Sequence, residues 1–267
     1  MWGAASTEPI IALHGWLDNS ASFFGLAPLL SGYQVIAPDL VGHGLSDHRP
    51  QGVPYYVWDN VADILALVDH LKIDRFHLLG HSMGAGISSL LAAIAPERVL
   101  SVTLLDGLVP VTTPASQGPQ QMAMSFRQRQ RIAERPQRYF TTFQQAVFVR
   151  SKSHYPVSLK AAEALVSRAL SETDKGWRWH TDPYLFAPSV LRLTEDQVAE
   201  FLGQIDCSVL LCLAEKGIAT PQIYPLAQRV RNITIKTMAG GHHFHLEDHA
   251  LEEMAETILC HLNHTTS

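Results

Sequence analysis

The run Gly80-His81-Ser82-Met83-Gly84 places a serine hydroxyl between two glycines, where an apolar stretch at 75–79 gives way to a helical pattern starting at Met83. A strand that turns into a helix within so few residues forces the central residue into a strained backbone conformation, and flanking glycines remove side chains that would collide. Such a bend lifts Ser82 Oγ above the carboxyl edge of a sheet, where α/β folds hold their ligands. It also sets the serine at a helix start, whose exposed N–H groups favour a developing oxyanion. The chemistry this points to is nucleophilic attack on an acyl carbon. The plainer reading, a glycine-rich turn in which Ser82 only caps the helix, depends on whether a base stands nearby. An imidazole titrates in the useful range, and Gly240-Gly241-His242-His243-Phe244-His245 offers three of them. The His-Glu-x-x-His spacing of zinc enzymes is absent, so no metal is expected, although a surface histidine cluster or an adventitious metal site is the bland alternative.

The elements that must position these groups are legible from periodicity. Short apolar, β-branched runs at 10–13, 33–37, 75–79, 100–105, 208–213 and 233–236 end in turn residues. Several are apolar almost throughout, as strands covered on both faces are. Helical patterns occupy 57–71, 83–95, 221–230 and 250–262. This alternation predicts an α/β protein with a doubly wound, mostly parallel sheet. Residues 108–205 break the rhythm, with no convincing strand and helical stretches at 120–135 and 156–170. Their own apolar residues, among them Phe140, Phe143, Val147, Phe148, Leu165, Trp177 and Trp179, predict a helical lid inserted into a core made of 1–107 and 206–267. Phe143, Phe148, Trp177 and Trp179 either line an acyl pocket or anchor that lid. Arg127, Arg129, Arg131, Arg135 and Arg138 read as a solvated face, with an anion-recognising rim as the sharper option.

Composition narrows the classes. With 267 residues, 46% hydrophobic and 17% charged, the chain can bury a large core and is not of disordered type. A net charge of −5 offers no field for nucleic acid or anionic lipid. No apolar run reaches the length of a membrane span, and residues 1–9 lack the pattern of a signal peptide. Cys207, Cys212 and Cys260 are too few for a disulfide framework and read as reduced, buried thiols in a cytoplasmic setting. The absence of Gly-x-Gly-x-x-Gly after the first strand argues against a dinucleotide-binding oxidoreductase.

Taken together, His14-Gly15-Trp16, the stretch Pro38-Asp39-Leu40-Val41-Gly42-His43-Gly44-Leu45-Ser46-Asp47, the Ser82 bend and Gly241-His242 resemble the α/β-hydrolase superfamily, over most of the chain outside the insertion. His14-Gly15-Trp16-Leu17-Asp18-Asn19 and Gly52-Val53-Pro54-Tyr55-Tyr56 are most similar to the serine hydrolase-like proteins within it. The resemblance implies that His242, with Glu247 five residues later, is the base, while His243 and His245 compete for the role. It implies an oxyanion hole from the backbone N–H groups of Trp16 and Met83, and a Trp16 ring that either floors the acyl pocket or sits in the core. Relatives commonly carry the triad acid in a Gly-x-x-Asp turn, but this chain has Ala214-Glu215-Lys216-Gly217-Ile218 there, with Gly217 at the acid position. The resemblance offers one other location, the tip of the preceding strand, where Asp106 stands; Glu215 is the alternative. Asp39 is expected to tie down its loop, and His81 to serve packing.

The expected activity is a cofactor-independent serine hydrolase acting on a small-molecule ester or related acyl bond. An aspartate at the bend would imply dehalogenase or epoxide hydrolase chemistry, which Ser82 argues against. A carbon–carbon bond hydrolase using the same triad stays open. So does a non-catalytic relative that binds a ligand or partner, motivated by Gly217. Relatives carry two further strands before the first one here, so a bare sheet edge is expected.

Overall fold

The computed structural model describes residues 1–5 and 7–264. β1 (Glu8–Leu13), β2 (Tyr33–Ile36), β3 (Phe76–His81) and β4 (Val99–Leu105) are buried along most of their lengths, because helices close both faces of the sheet they form. α1 (Asp59–His70) and α2 (Met83–Ile94) provide two of those helices. Between β4 and the next sheet strand the chain passes through α3 (Gly118–Ala133), α4 (Phe143–Ser151), α5 (Leu159–Ser167), β5 (Leu170–Thr173), β6 (Gly176–Trp179) and α6 (Glu195–Gly203). β7 (Ser208–Lys216), α7 (Ile223–Ala227), β8 (Ile233–Gly241) and α8 (Asp248–Asn263) follow.

The sheet order is β2-β1-β3-β4-β7-β8, and every pairing in it is parallel. β2 is laid down on one side of β1 and β3 on the other, so the direction of winding reverses between the ends of β1 and β3. That reversal opens the crevice in which α/β sheets hold ligands. The register aligns Leu13 with Gly80, His81 with Leu105, and Leu105 with Cys212, which brings the loops after β1, β3, β4 and β7 to one edge.

One face of the sheet packs Ile11, Leu13 and Leu78 against Ile64, Val68, Ile87 and Leu91 of α1 and α2. The other packs Ile10, Leu79 and Leu105 against Phe23 and against Met254 and Ile258 of α8. The inserted segment has a smaller cluster of its own around Ala146, Val147, Ala161 and Leu165, which reaches the core through Leu246. Phe140, Phe143, Trp177 and Trp179 pack on that cluster, so they anchor the segment, whereas Phe148 is exposed.

Three sequence expectations need correction or completion. The insertion is not wholly helical, since β5 and β6 form an antiparallel hairpin. Its strands are four residues each and mostly half-exposed, so the alternation that marks a strand has no room to show. Cys207 and Cys212 are withdrawn from water, which pushes their thiols up to about 11 and about 12, but Cys260 is exposed. The β2 edge of the sheet is partly met by an antiparallel bridge from Trp2 to Val35. No helix among the described residues is long and apolar enough to cross a membrane.

Burial also sets a pH dependence. His14, His43, His77, His81, His245 and His261 are all held below the ordinary 6.5, chiefly by desolvation, with His43 at about 3 and His261 at about 4. An unfolded chain takes up these protons as pH falls through 6.5, while the folded chain does not. Stability is therefore complete above that point and drains away as pH falls toward the folded values, at about 1.4 kcal/mol per pH unit for each proton of difference. Thermal melts are expected to be level above about pH 7 and to drop steeply by about pH 5. A level melting temperature across that interval would show that these rings titrate freely in the folded protein.

Candidate active site

Ser82 is the hinge between β3 and α2, with φ 53° and ψ −112°, a left-handed backbone that costs a non-glycine residue on the order of 1–3 kcal/mol. The turn is possible because its flanks have no side chains. A Cβ on Gly80 would stand 2.4 Å from the Gly84 carbonyl oxygen, and one on Gly84 would stand 2.0 Å from that of Leu13. The Ser82 N–H donates to the Leu105 carbonyl at 3.0 Å, which fixes the bend against the end of β4.

His242 follows directly on β8. Its Nε2 is 3.0 Å from Ser82 Oγ, and its Nδ1 is 2.7 Å from Asp106 Oδ2. A carboxylate can only accept, so Nδ1 carries the proton and Nε2 presents its lone pair to the serine hydroxyl. Asp106 lies at the tip of β4 with φ 45° and is fully buried. Besides His242, its carboxylate accepts the backbone N–H groups of Ala214 at 3.1 Å and Ile218 at 2.9 Å. Those two donors belong to the end of β7 and its turn, and Gly217 lies between them. A Cβ on Gly217 would fall 2.2 Å from Asp106 Oδ1. The missing side chain at 217 is thus the space that the Asp106 carboxylate fills. Glu215 is exposed and has no part in the His242 hydrogen bonds.

The loop after β1 closes on the same point. A Cβ on Gly15 would lie 3.3 Å from the Ser82 Cβ, so Trp16 directly follows a residue packed against the serine. The N–H groups of Trp16 and Met83 are not donors in the backbone hydrogen bonds of the turns and loops among the described residues. His14 holds this loop in one tautomer: its Nδ1–H donates to the Gly15 carbonyl at 2.8 Å and its Nε2 accepts the Leu40 N–H at 3.0 Å. The Trp16 ring is half-exposed rather than a core residue. Its Nε1–H donates to the Leu185 carbonyl at 3.0 Å, and it makes a T-shaped contact with the Phe186 ring. Asp39 takes the loop-fastening part expected of it, accepting the N–H groups of Ser20 and Leu45 at 2.8 Å each. It also pairs with Arg168 of the inserted segment at 2.8 Å.

The other imidazoles have different work. His243 Nε2 is 2.9 Å from Asp18 Oδ2, and His245 Nε2 is 3.0 Å from Ser22 Oγ, so neither faces Ser82. His81 is more than packing, since its Nε2–H donates to the His242 carbonyl at 2.9 Å. The residues that sequence reasoning missed are Arg150 and Tyr155. Arg150 Nη2 donates to Asp18 Oδ1 at 2.9 Å, and its Nη1 donates to Ser153 Oγ at 2.9 Å and the Tyr155 carbonyl at 3.3 Å. The Tyr155 ring stands 4.6 Å from that of His242, centroid to centroid. Burial alone would raise the Asp18 carboxyl, but His243 and Arg150 outweigh it and hold the group ionised, well below the usual carboxylate range. Asp18 belongs to the His14–Asn19 motif, but nothing local to residues 150 or 155 signals their partners.

The arrangement is a buried carboxylate, an oriented imidazole and a hydroxyl in one hydrogen-bonded line, able to raise the nucleophilicity of the hydroxyl. A family model described as the alpha/beta hydrolase fold matches residues 8–249. A serine hydrolase-like protein of Danio rerio is 32% identical over 261 residues, covering 93% of this chain and 80% of its own length. A serine hydrolase-like protein of Dictyostelium discoideum is 30% identical, covering 92% of this chain and 73% of its own. The crystal structure of a hypothetical protein from Pseudomonas aeruginosa PAO1 superposes with a TM-score of 0.92 at 38% identity, over 97% of this chain and 93% of that one.

Proposed function

The chain belongs to the α/β-hydrolase fold family, and from that premise we propose that it is a cofactor-independent serine hydrolase that cleaves a carboxylic ester or a related acyl bond. The observation that carries this reading is the continuous line from Ser82 Oγ through His242 to Asp106, with links of 3.0 and 2.7 Å. Ser82 Oγ attacks the acyl carbon while its proton passes to His242 Nε2. Asp106 orients the ring and stabilises the imidazolium that forms. The backbone N–H groups of Trp16 and Met83 hold the oxyanion of the tetrahedral intermediate. His242 then returns the proton to the leaving group, and the acyl-Ser82 ester is hydrolysed by a water that His242 deprotonates in its turn.

Residues 108–205 act as a lid that shapes the acyl pocket, with Tyr155 against His242 and Phe186 against Trp16 supporting that role. The free thiols of Cys207, Cys212 and Cys260 support a reducing, cytoplasmic setting. The Asp106 carboxylate fills the space beside Gly217, which supports the catalytic reading over a non-catalytic one.

A fluorophosphonate probe tests the reading directly. The folded protein is expected to form one covalent adduct, mapped by mass spectrometry to the peptide that contains Ser82. Folded protein that stays unlabelled would favour a binding role. A panel of esters, lactones and thioesters of graded acyl length then ranks the substrate classes.

A further inference from the structure

We infer that Asp18, His81 and His243 form a site for a borderline divalent transition-metal cation of the Zn²⁺ or Co²⁺ type, set beneath the Ser82–His242 pair. All three are buried, and they offer one ligand atom each within 4.8 Å of one another. They come from three separate stretches of chain: the turn after β1, the last residue of β3, and the residue after the proposed base. The ligand set, two imidazoles and a carboxylate, is that of three-ligand zinc sites, which keep a fourth position for water. In a tetrahedron with bonds near 2.1 Å the ligands stand roughly 3.4 Å apart, so small side-chain adjustments close the site.

Two further observations point to a cation here. His81 spends its Nε2–H on the His242 carbonyl, which leaves Nδ1 as an unprotonated nitrogen, and that atom is buried with no hydrogen-bond partner. It faces the turn that carries Asp18: a Cβ on Gly15 would lie 2.9 Å from Nδ1, and the Asp18 N–H closes the same turn on the Gly15 carbonyl. Secondly, a cation already faces the other two ligands. Arg150 Nη2 is 2.9 Å from Asp18 Oδ1 and 3.3 Å from His243 Nε2. The guanidinium stands where a metal would draw its charge balance, and the two compete.

His243 Nε2 faces the Asp18 carboxylate, which can only accept, so metal binding at that nitrogen displaces a proton and affinity weakens as pH falls. It also turns Arg150 away from Asp18 and loosens the Arg150 contact with the Tyr155 carbonyl.

The test is titration of the full, chelator-treated chain with Co²⁺, followed by visible d–d absorption, a readout that needs no enzymatic activity. One equivalent is expected to bind and to be released by a chelator. Arg150→Met, which removes the competitor, is expected to tighten binding about tenfold, and His243→Gln and His81→Gln to weaken it by about tenfold or more. Each variant is checked by its thermal melt; if His81→Gln does not fold, the opposite responses of Arg150→Met and His243→Gln still decide. Absence of binding, or binding equal in all variants as exposed histidines would give, overturns the site. Labelling of Ser82 by a fluorophosphonate separates that failure from failure of the hydrolase reading.

Discussion

Asp106→Asn is expected to lower kcat on any ester substrate by about four orders of magnitude, the scale seen when the acid of a serine triad is replaced by its amide. The side chain keeps its shape, so the fold and KM should change little. What changes is the partner offered to His242 Nδ1. The Ala214 N–H bonds Oδ1, whereas the Ile218 N–H bonds Oδ2, the oxygen that also takes His242 Nδ1–H, so an amide cannot satisfy all three donors and its NH2 opposes an N–H whichever way it is turned. With the NH2 toward the ring the imidazole takes the wrong tautomer, with a proton on Nε2 where Ser82 needs a lone pair; with the oxygen toward the ring the neutral amide no longer stabilises the imidazolium. Glu215→Gln, on an exposed side chain, should leave turnover near normal. Steady-state kinetics on the two variants decides between the two carboxylates, and an Asp106→Asn enzyme of near-normal kcat would remove Asp106 from the mechanism.

Gly217→Ala is the second large effect. The new methyl group would lie 2.2 Å from Asp106 Oδ1, well inside van der Waals contact, so either the β7 turn or the carboxylate must move. The carboxylate is the looser of the two once its cradle is disturbed, because the Asp106 backbone already sits at φ 45°. A drop in kcat of about 10²-fold is expected, with unfolding midpoint and KM near those of the parent, since misplacement of about an ångström suffices for such a loss. The stronger form is reciprocal. Asp106→Gly combined with Gly217→Asp returns a carboxylate to the same pair of N–H donors from the neighbouring loop, and the glycine relieves the left-handed strain at 106. The pair is expected to recover activity that Asp106→Gly alone has lost. No recovery would show that the slot is specific to a side chain entering from β4.

The sheet, the helices around it and the Ser82 bend were legible because each is written locally, whereas His242 and Asp106 were expected from the resemblance to the α/β-hydrolase superfamily. A glycine pair around Ser82 declares a sharp bend, and apolar strands ending in polar residues declare where the chain turns over the sheet edge. The expectation of Asp106 over Glu215 came from that resemblance, in which some members carry the acid at the tip of the strand before β7. The β5–β6 hairpin was not legible, since four-residue strands with half-exposed faces carry no period. The ring of Trp16 could not be placed either, because its partners Leu185 and Phe186 come from the inserted segment. Arg150 and Asp18 are 132 residues apart, and an arginine near a serine-rich turn gives no sign of which carboxylate it will meet. Cys260 is exposed because α8 turns it outward, whereas composition alone puts a cysteine inside.

The inserted segment is fastened to the sheet domain on more than one flank. Arg168 grips Asp39 at 2.8 Å, Arg150 grips Asp18 at 2.9 Å, and Asn19 Nδ2 donates to the Leu165 carbonyl at 2.8 Å. Two of these links use carboxylates that are almost wholly buried, where bulk salt screens little. A cover riveted in this way has no single hinge line to swing about. On the hydrolase reading proposed above, traffic into the crevice is therefore expected to depend on rotation of individual side chains such as Phe186 and Tyr155, with visitors selected by girth rather than by the opening of a door.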